Sequence, residues 1–171
     1  MGICAEELRT FVIRPTLELL EHRSDAAEEL LLGTAARESG LGFHLTDNHR
    51  KRLHCRQGLG IFRIRPYTHR KIWDQFLINH PNLASTIRGL ASQHDFLINP
   101  HGELATNLRY ATAIAWLIYY RNFKPLPDAH DLEGLARFWK RHYQRHPNPS
   151  REEFIRHYRE YVSGCPQVSA A

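Results

Sequence analysis

The chain has 171 residues, of which 42% are hydrophobic and 24% are charged, a composition that excludes a disordered chain. This length predicts a single domain over residues 1–171, with a core at about 6–162 and a frayed tail at 164–171. The formal net charge of +5 favours a polyanionic partner or surface, but charge alone does not choose among nucleic acid, an anionic membrane and a wall polymer.

The N-terminal sequence and the cysteines bear on cellular location. Residues 1–7 lack the basic start and apolar run of a secretory signal, and no stretch approaches the roughly 18 apolar residues of a membrane span. Cys4, Cys55 and Cys165 are odd in number and far apart, so no complete disulfide framework can be drawn. We therefore expect synthesis in the cytoplasm without a signal peptide, reduced cysteines and no insertion into a membrane.

Apolar residues at helical spacing predict three helices in the first forty residues, over Glu6–Ile13, Thr16–Glu21 and Ala26–Ser39. The first should end before Pro15, because proline disfavours the helical conformation of the residue that precedes it. Asp25 opens a capping-box-like start, and Gly40 is a typical helix stop. The third helix therefore carries Glu38 at the edge of its apolar face.

After residue 41 the helical period is lost until Tyr67, and the one strand-like part is Leu59–Arg65. Beyond it we expect helices at Thr68–Asn79, Pro81–Gln93, Leu104–Phe123 and Asp131–Gln144, and a last one from a Ser150–Glu153 capping box through Val162. The predicted fold class is all-α, with at most a minimal β-hairpin.

Two interpretations of Glu38-Ser39-Gly40 are open from its spacing alone. A glutamate at the edge of an apolar face loses water, which raises the pKa of a carboxyl group and suits a general acid near neutral pH. A solvated glutamate beside an ordinary glycine stop would have the same sequence.

A second motif bears on this choice. The segment Leu31–Gly40 is followed about twenty residues later by Gly60–Thr68. Together they resemble soluble lytic transglycosylases and goose-type lysozymes, in which a helix ending in Glu-Ser precedes a loop with the sequence Gly-Leu-Met-Gln-Ile-Met-Pro-x-Thr. Weaker similarity continues at Asn107-Leu108 and Leu135–Trp139, and the segment Trp139–Tyr143 resembles phage-encoded proteins with this lysozyme-like core.

The resemblance implies a lysozyme-like helical domain that cleaves the link between N-acetylmuramic acid and N-acetylglucosamine in peptidoglycan. It implies that Glu38 is the single catalytic acid/base, without cofactor or metal, since substrate assistance can replace a second carboxylate. It also implies a set of substrate-binding residues: Ser39, Gly60, Ile61, Phe62, Arg63, Tyr110, Phe138 and Tyr143.

The implied partners are peptidoglycan glycan strands and the proteins of a phage virion or a secretion machine. The implied site of action is the periplasm and cell wall, or a phage particle, which the chain would reach by a route other than a signal peptide.

The sequence departs from the family motif at Arg63, where the family has Gln, and at Phe138-Trp139, where the family's Asn and Gly are lost. The alternative function is therefore a non-catalytic phage tail or virion protein, which keeps the fold as a scaffold or a glycan-binding module. Nucleic-acid binding by the basic run His49–Arg56 is disfavoured, because no recognisable motif accompanies it. Metal binding is not expected, because the twelve histidines lack paired ligand spacing.

Overall fold

The computed structural model describes residues 2–45, 57–143 and 150–164. Over these ranges the chain is helical, which confirms the all-α class, and Leu59 and Ile64 form an isolated antiparallel bridge. The basic run His49–Arg56 and the end of the chain from residue 165 lie outside the described residues.

The helices lie in the following order along the described chain. They are α1 (Ala5–Leu8, Arg9–Ile13 and Arg14–Leu19), α2 (Asp25–Ser39), α3 (Pro66–Lys71, Ile72–Phe76 and Leu77–Asn79), α4 (Pro81–Leu90), α5 (Asp95–Ile98), α6 (Glu103–Thr106), α7 (Leu108–Tyr120), α8 (Leu132–His142) and α9 (Arg151–Tyr158 and Arg159–Ser163). None of the described helices is long and apolar enough to cross a bilayer.

The expected helix break before Pro15 is wrong, because α1 passes through this residue without interruption. The backbone takes a π-helical turn over Arg9–Ile13, and Pro15 lies in the first turn of the α-helical segment that follows. Proline lacks the N–H that an α-helix requires, and its ring crowds the carbonyl group four residues earlier. A wider π turn just before the proline accommodates both effects.

Side-chain caps fix the starts of four helices: Ser24 for α2, Asn107 for α7, Asp131 for α8 and Ser150 for α9. The cap of α2 is Ser24 rather than a capping box begun by Asp25, since the Ser24 hydroxyl accepts the N–H three residues later at 3.2 Å. The cap at Asn107 divides the expected helix Leu104–Phe123 into α6 and α7.

The core is built around α7, in which every residue from Tyr110 to Tyr119 is buried. Helix α2 packs against α7, α8 and α9. A Cβ atom at Gly33 would overlap the ring of Phe154 in α9, so the absence of a side chain there sets how closely α2 and α9 approach. This packing encloses α2 and brings its last turn, with Glu38, against the C-terminal end of α8.

A buried carboxylate ties α1 to α2. Glu28 is 1% exposed and accepts two hydrogen bonds from Arg14, each of 2.9 Å, and one of 3.1 Å from Arg23. Arg9 adds an ion pair at 3.5 Å. Burial acts to raise the pKa of Glu28, but the hydrogen bonds from Arg14 and Arg23 outweigh it and leave the pKa lowered. Glu28 is therefore a structural anion.

We expect Glu28→Gln to lower the free energy of unfolding by about 2 kcal/mol, because the arginines lose the charge that compensates them in a partly buried setting. Urea unfolding at neutral pH measures this change. Glu18→Gln, at an exposed position of α1, is the matched control and should change the stability by less than about 0.5 kcal/mol. An equally small change in Glu28→Gln would contradict the structural role.

Candidate functional site

Glu38 lies in the last turn of α2, which ends at Ser39 and is closed by Gly40 in the left-handed conformation, with φ of 60°. A residue with a Cβ is strained at this φ, so the glycine is what lets the chain turn sharply after the carboxylate. Glu38 is only 8% exposed. Its burial agrees with a desolvated carboxylate at the edge of the core and not with a solvated residue beside a cap.

The predicted hairpin is a tight turn. Leu59 and Ile64 exchange backbone hydrogen bonds of 3.0 and 3.1 Å, and the Arg63 N–H donates to the Gly60 carbonyl at 3.0 Å. Gly60 and Arg63 both have left-handed backbones, with φ of 73° and 46°. The strand expected over Leu59–Arg65 is thus reduced to one bridge, because the residues inside it are used for the turn.

Two side-chain hydroxyls fasten this turn to the helix ends beside Glu38. Ser39 Oγ donates to the Ile61 carbonyl at 2.6 Å, and the hydroxyl of Tyr143 donates to the Phe62 carbonyl, also at 2.6 Å. Ser39 comes from the end of α2, whereas Tyr143 directly follows α8. Both backbone carbonyls at the tip of the turn are therefore satisfied by residues adjacent to the candidate acid.

The third attachment of the turn is a close backbone contact with α6. A Cβ atom at Gly60 would overlap the carbonyl oxygen of Leu104. Any other residue at this position would push the turn away from α6, in addition to straining its left-handed backbone. The turn is thus held from three directions, by α2, by the end of α8 and by α6.

Two tyrosine rings lie beside Glu38. Tyr119 and Tyr143 stack with ring centroids 5.2 Å apart, and the Tyr119 hydroxyl is 2.7 Å from Oγ1 of Thr34, one turn before Glu38 on α2. Burial raises the pKa of both phenols, and the negative charge of Glu38 adds to the rise in each. The tyrosines therefore remain protonated and form an aromatic wall beside the carboxylate.

Three residues that were expected to contact substrate are core residues instead. Ile61 is 1% exposed, and Phe62 and Tyr110 have no exposed surface. The turn directs Ile61 and Phe62 inward and Tyr110 faces the interior from α7, so these three side chains pack in the core, and their role in substrate binding stays a prediction. Ser39 is 3% exposed, and its hydroxyl holds the turn.

The remaining expected residues lie closer to the surface. Arg63 and Phe138 are both half-buried. The Phe138 ring packs against Tyr119 with centroids 5.8 Å apart, so it extends the aromatic wall away from Glu38. The structure thus brings Glu38, Tyr143 and Phe138 together along one wall.

A polar network behind the turn was not predicted from the sequence. Trp73 Nε1 donates to the Tyr110 hydroxyl at 2.9 Å, this hydroxyl is 2.6 Å from His69 Nε2, and His69 Nδ1 is 2.9 Å from Nδ1 of His101. An indole nitrogen can only donate, so we infer that Tyr110 donates to His69, whose Nδ1 proton then points to His101. The signal in the sequence was His69 and Trp73 four residues apart, on one face of α3.

The network requires neutral histidines. Burial, with the nearby His101, lowers the pKa of His69 to about 4. Burial and the charge of Arg70 also lower the pKa of His101. Protonating both rings would place two N–H groups face to face across the 2.9 Å contact between them.

We expect the free energy of unfolding to fall as the pH is lowered from about 6.5 to about 4, because the unfolded chain binds a proton that folded His69 does not. The loss should reach about 3 kcal/mol and should stop below the folded-state pKa, where both states bind the proton. Urea unfolding in half-unit pH steps measures it. The glutamine in His69→Gln does not titrate, so this variant should have a flatter slope of unfolding free energy against pH. The control His130→Gln, at an exposed position, should keep the wild-type slope. Equal slopes in wild type and His69→Gln would refute the assignment.

Among the described residues, no group of three or more His, Cys, Asp or Glu side chains is arranged to hold a metal ion. No family model, curated protein or solved structure matches this chain. The geometry around Glu38 and the sequence motifs are therefore the evidence that bears on function.

Proposed function

We propose that this protein is a lytic transglycosylase, which cleaves peptidoglycan between N-acetylmuramic acid and N-acetylglucosamine with Glu38 as its single general acid/base. The observation that carries the proposal is the burial of Glu38, 8% exposed, at a helix end to which the following turn is bonded through Ser39 and Ile61 at 2.6 Å. Burying a carboxylate costs free energy, so a glutamate that merely faces solvent at a helix end would not be held in such a fixed and desolvated position.

The proposed reaction uses one carboxyl group twice. Protonated Glu38 gives its proton to the glycosidic oxygen as the bond to C1 of the muramic acid breaks, and the sugar's own acetamido group stabilises C1. The carboxylate of Glu38 then takes the proton of the 6-hydroxyl of the same sugar, whose oxygen bonds to C1. The products are a 1,6-anhydromuramic end and a free N-acetylglucosamine hydroxyl, and no water is consumed.

The surroundings of Glu38 suit both steps. Removing water from around a carboxyl group favours its protonated form, which the first step requires. The stacked rings of Tyr119 and Tyr143 exclude water on one side, and the bond from Tyr143 to the Phe62 carbonyl fixes the turn on another. A rigid and partly dry setting holds the carboxyl group in one position through proton donation and proton recovery.

We expect Glu38→Gln to lower the release of soluble fragments from purified Gram-negative sacculi by at least about 100-fold, because an amide neither donates nor accepts the required proton. Dye release from labelled sacculi measures the rate. Glu133→Gln, at an exposed position of α8, is the matched control and should retain the wild-type rate. Equal release by wild type and Glu38→Gln would contradict the role of Glu38.

The same assay would contradict catalysis if the wild type released no fragments while the wild type and Glu38→Gln both still sedimented with sacculi. That outcome would leave a glycan-binding module, the non-catalytic alternative suggested by Arg63 in place of the family's Gln.

A further inference from the structure

A cavity of about 390 Å³ lies between the end of α7, the loop that follows it and α8. Its lining is dominated by aromatic side chains, namely Trp116, Tyr119, Tyr120, Phe123 and Phe138. This volume is within the usual range of small-ligand sites and admits a sugar ring with its substituents. Aromatic faces are suitable surfaces for the C–H face of a pyranose, since each presents a flat apolar area of similar size.

The cavity and Glu38 share a wall. Tyr119 and Phe138 line the cavity, and the ring of Tyr119 stacks on Tyr143 beside Glu38, with centroids 5.2 Å apart. Tyr119 is only 1% exposed, so its ring lies between the cavity and Glu38, and a glycan strand that reaches both would pass over the half-buried Phe138.

Phe123 at the cavity rim presents an exposed aromatic face. It follows the C-terminal end of α7 with φ of 49°, a left-handed conformation that strains a bulky residue and favours glycine. Its ring is nevertheless 68% exposed. The ring packs at its inner side against Tyr120 and Phe76, with centroids 5.7 and 6.2 Å apart, and its exposed side is available for contact with a ligand.

The polar groups at the cavity indicate which substituent a bound sugar would have. His22 is held in place, because its Nδ1 accepts the indole N–H of Trp116 at 3.0 Å and its ring lies over Tyr120 with centroids 3.9 Å apart. Lys124, next to Phe123, lines the cavity and is exposed. An ammonium group at the rim of an aromatic cavity favours a sugar whose substituent ends in a carboxylate.

We propose that this cavity is a glycan subsite, in which a pyranose ring stacks on Tyr120 and Phe123 while a carboxylate of its lactyl or peptide substituent contacts Lys124. The subsite rests on the proposed function, because it places another sugar of the strand whose scissile bond lies at Glu38. It would select peptide-bearing muramic strands over uncharged chitin-like chains.

Calorimetric titration of Glu38→Gln protein, which prevents turnover, tests the subsite with two probes. They are a soluble peptidoglycan tetrasaccharide with its peptide stems and chitotetraose, which has no carboxylate. We expect a Phe123→Gly exchange in this background to weaken binding of both probes about tenfold, and Lys124→Gln to weaken only the peptidoglycan probe.

Phe123→Gly distinguishes a loss of binding from a loss of folding. Glycine relaxes the strained backbone at this position and should leave the unfolding temperature unchanged or higher. Phe11→Ala, which removes another exposed ring (72% exposed), is the matched control and should bind both probes normally.

Unchanged binding of both probes by Phe123→Gly would overturn the subsite, as would failure of both probes to bind the Glu38→Gln protein. A different pattern would overturn the proposed reaction alone: binding that depends on Phe123, but no release of fragments from sacculi by the wild type. The two proposals can therefore fail separately.

Discussion

The hydrogen bond from Ser39 Oγ to the Ile61 carbonyl, 2.6 Å long, is the constraint on which the geometry of the candidate site depends. The same oxygen accepts the N–H of Gly42 at 2.8 Å, so one hydroxyl joins the end of α2, the chain that leaves it and the turn that returns. The left-handed Gly40 lets the backbone leave α2 sharply enough for this contact to form. Without it, the turn would keep its attachments to α6 and to the end of α8 but would lose its bond to α2, the helix that carries Glu38.

Helix α2 carries two buried glutamates that differ in their surroundings. Glu28 is surrounded by arginine side chains, and its hydrogen bonds with Arg14 join α1 to α2. Glu38 lies ten residues later, next to the stacked rings of Tyr119 and Tyr143. Its negative charge contributes to the raised pKa of both phenols. Burial alone therefore does not separate a structural anion such as Glu28 from a catalytic carboxyl group, the role that we propose for Glu38.

Local signals predicted the end of α2 and the position of the turn, since Gly40 and Gly60 mark both in the sequence. The burial of Glu38 was not predictable in the same way, because it depends on Tyr119 and Tyr143 from distant parts of the chain. Tyr110 shows the same limit: its helix was predicted, but its hydroxyl is used by His69 and Trp73 inside the core. Pro15 failed as a helix stop because a preceding π turn accommodated it.

We propose that a single buried carboxyl group, Glu38, performs glycan cleavage without water. Mass spectrometry of the fragments that the wild-type protein releases from purified sacculi tests this claim most directly. We expect fragments that end in 1,6-anhydromuramic acid and resist borohydride reduction. Fragments with reducible ends would contradict the one-carboxyl reaction, and the absence of any fragment would contradict cleavage itself.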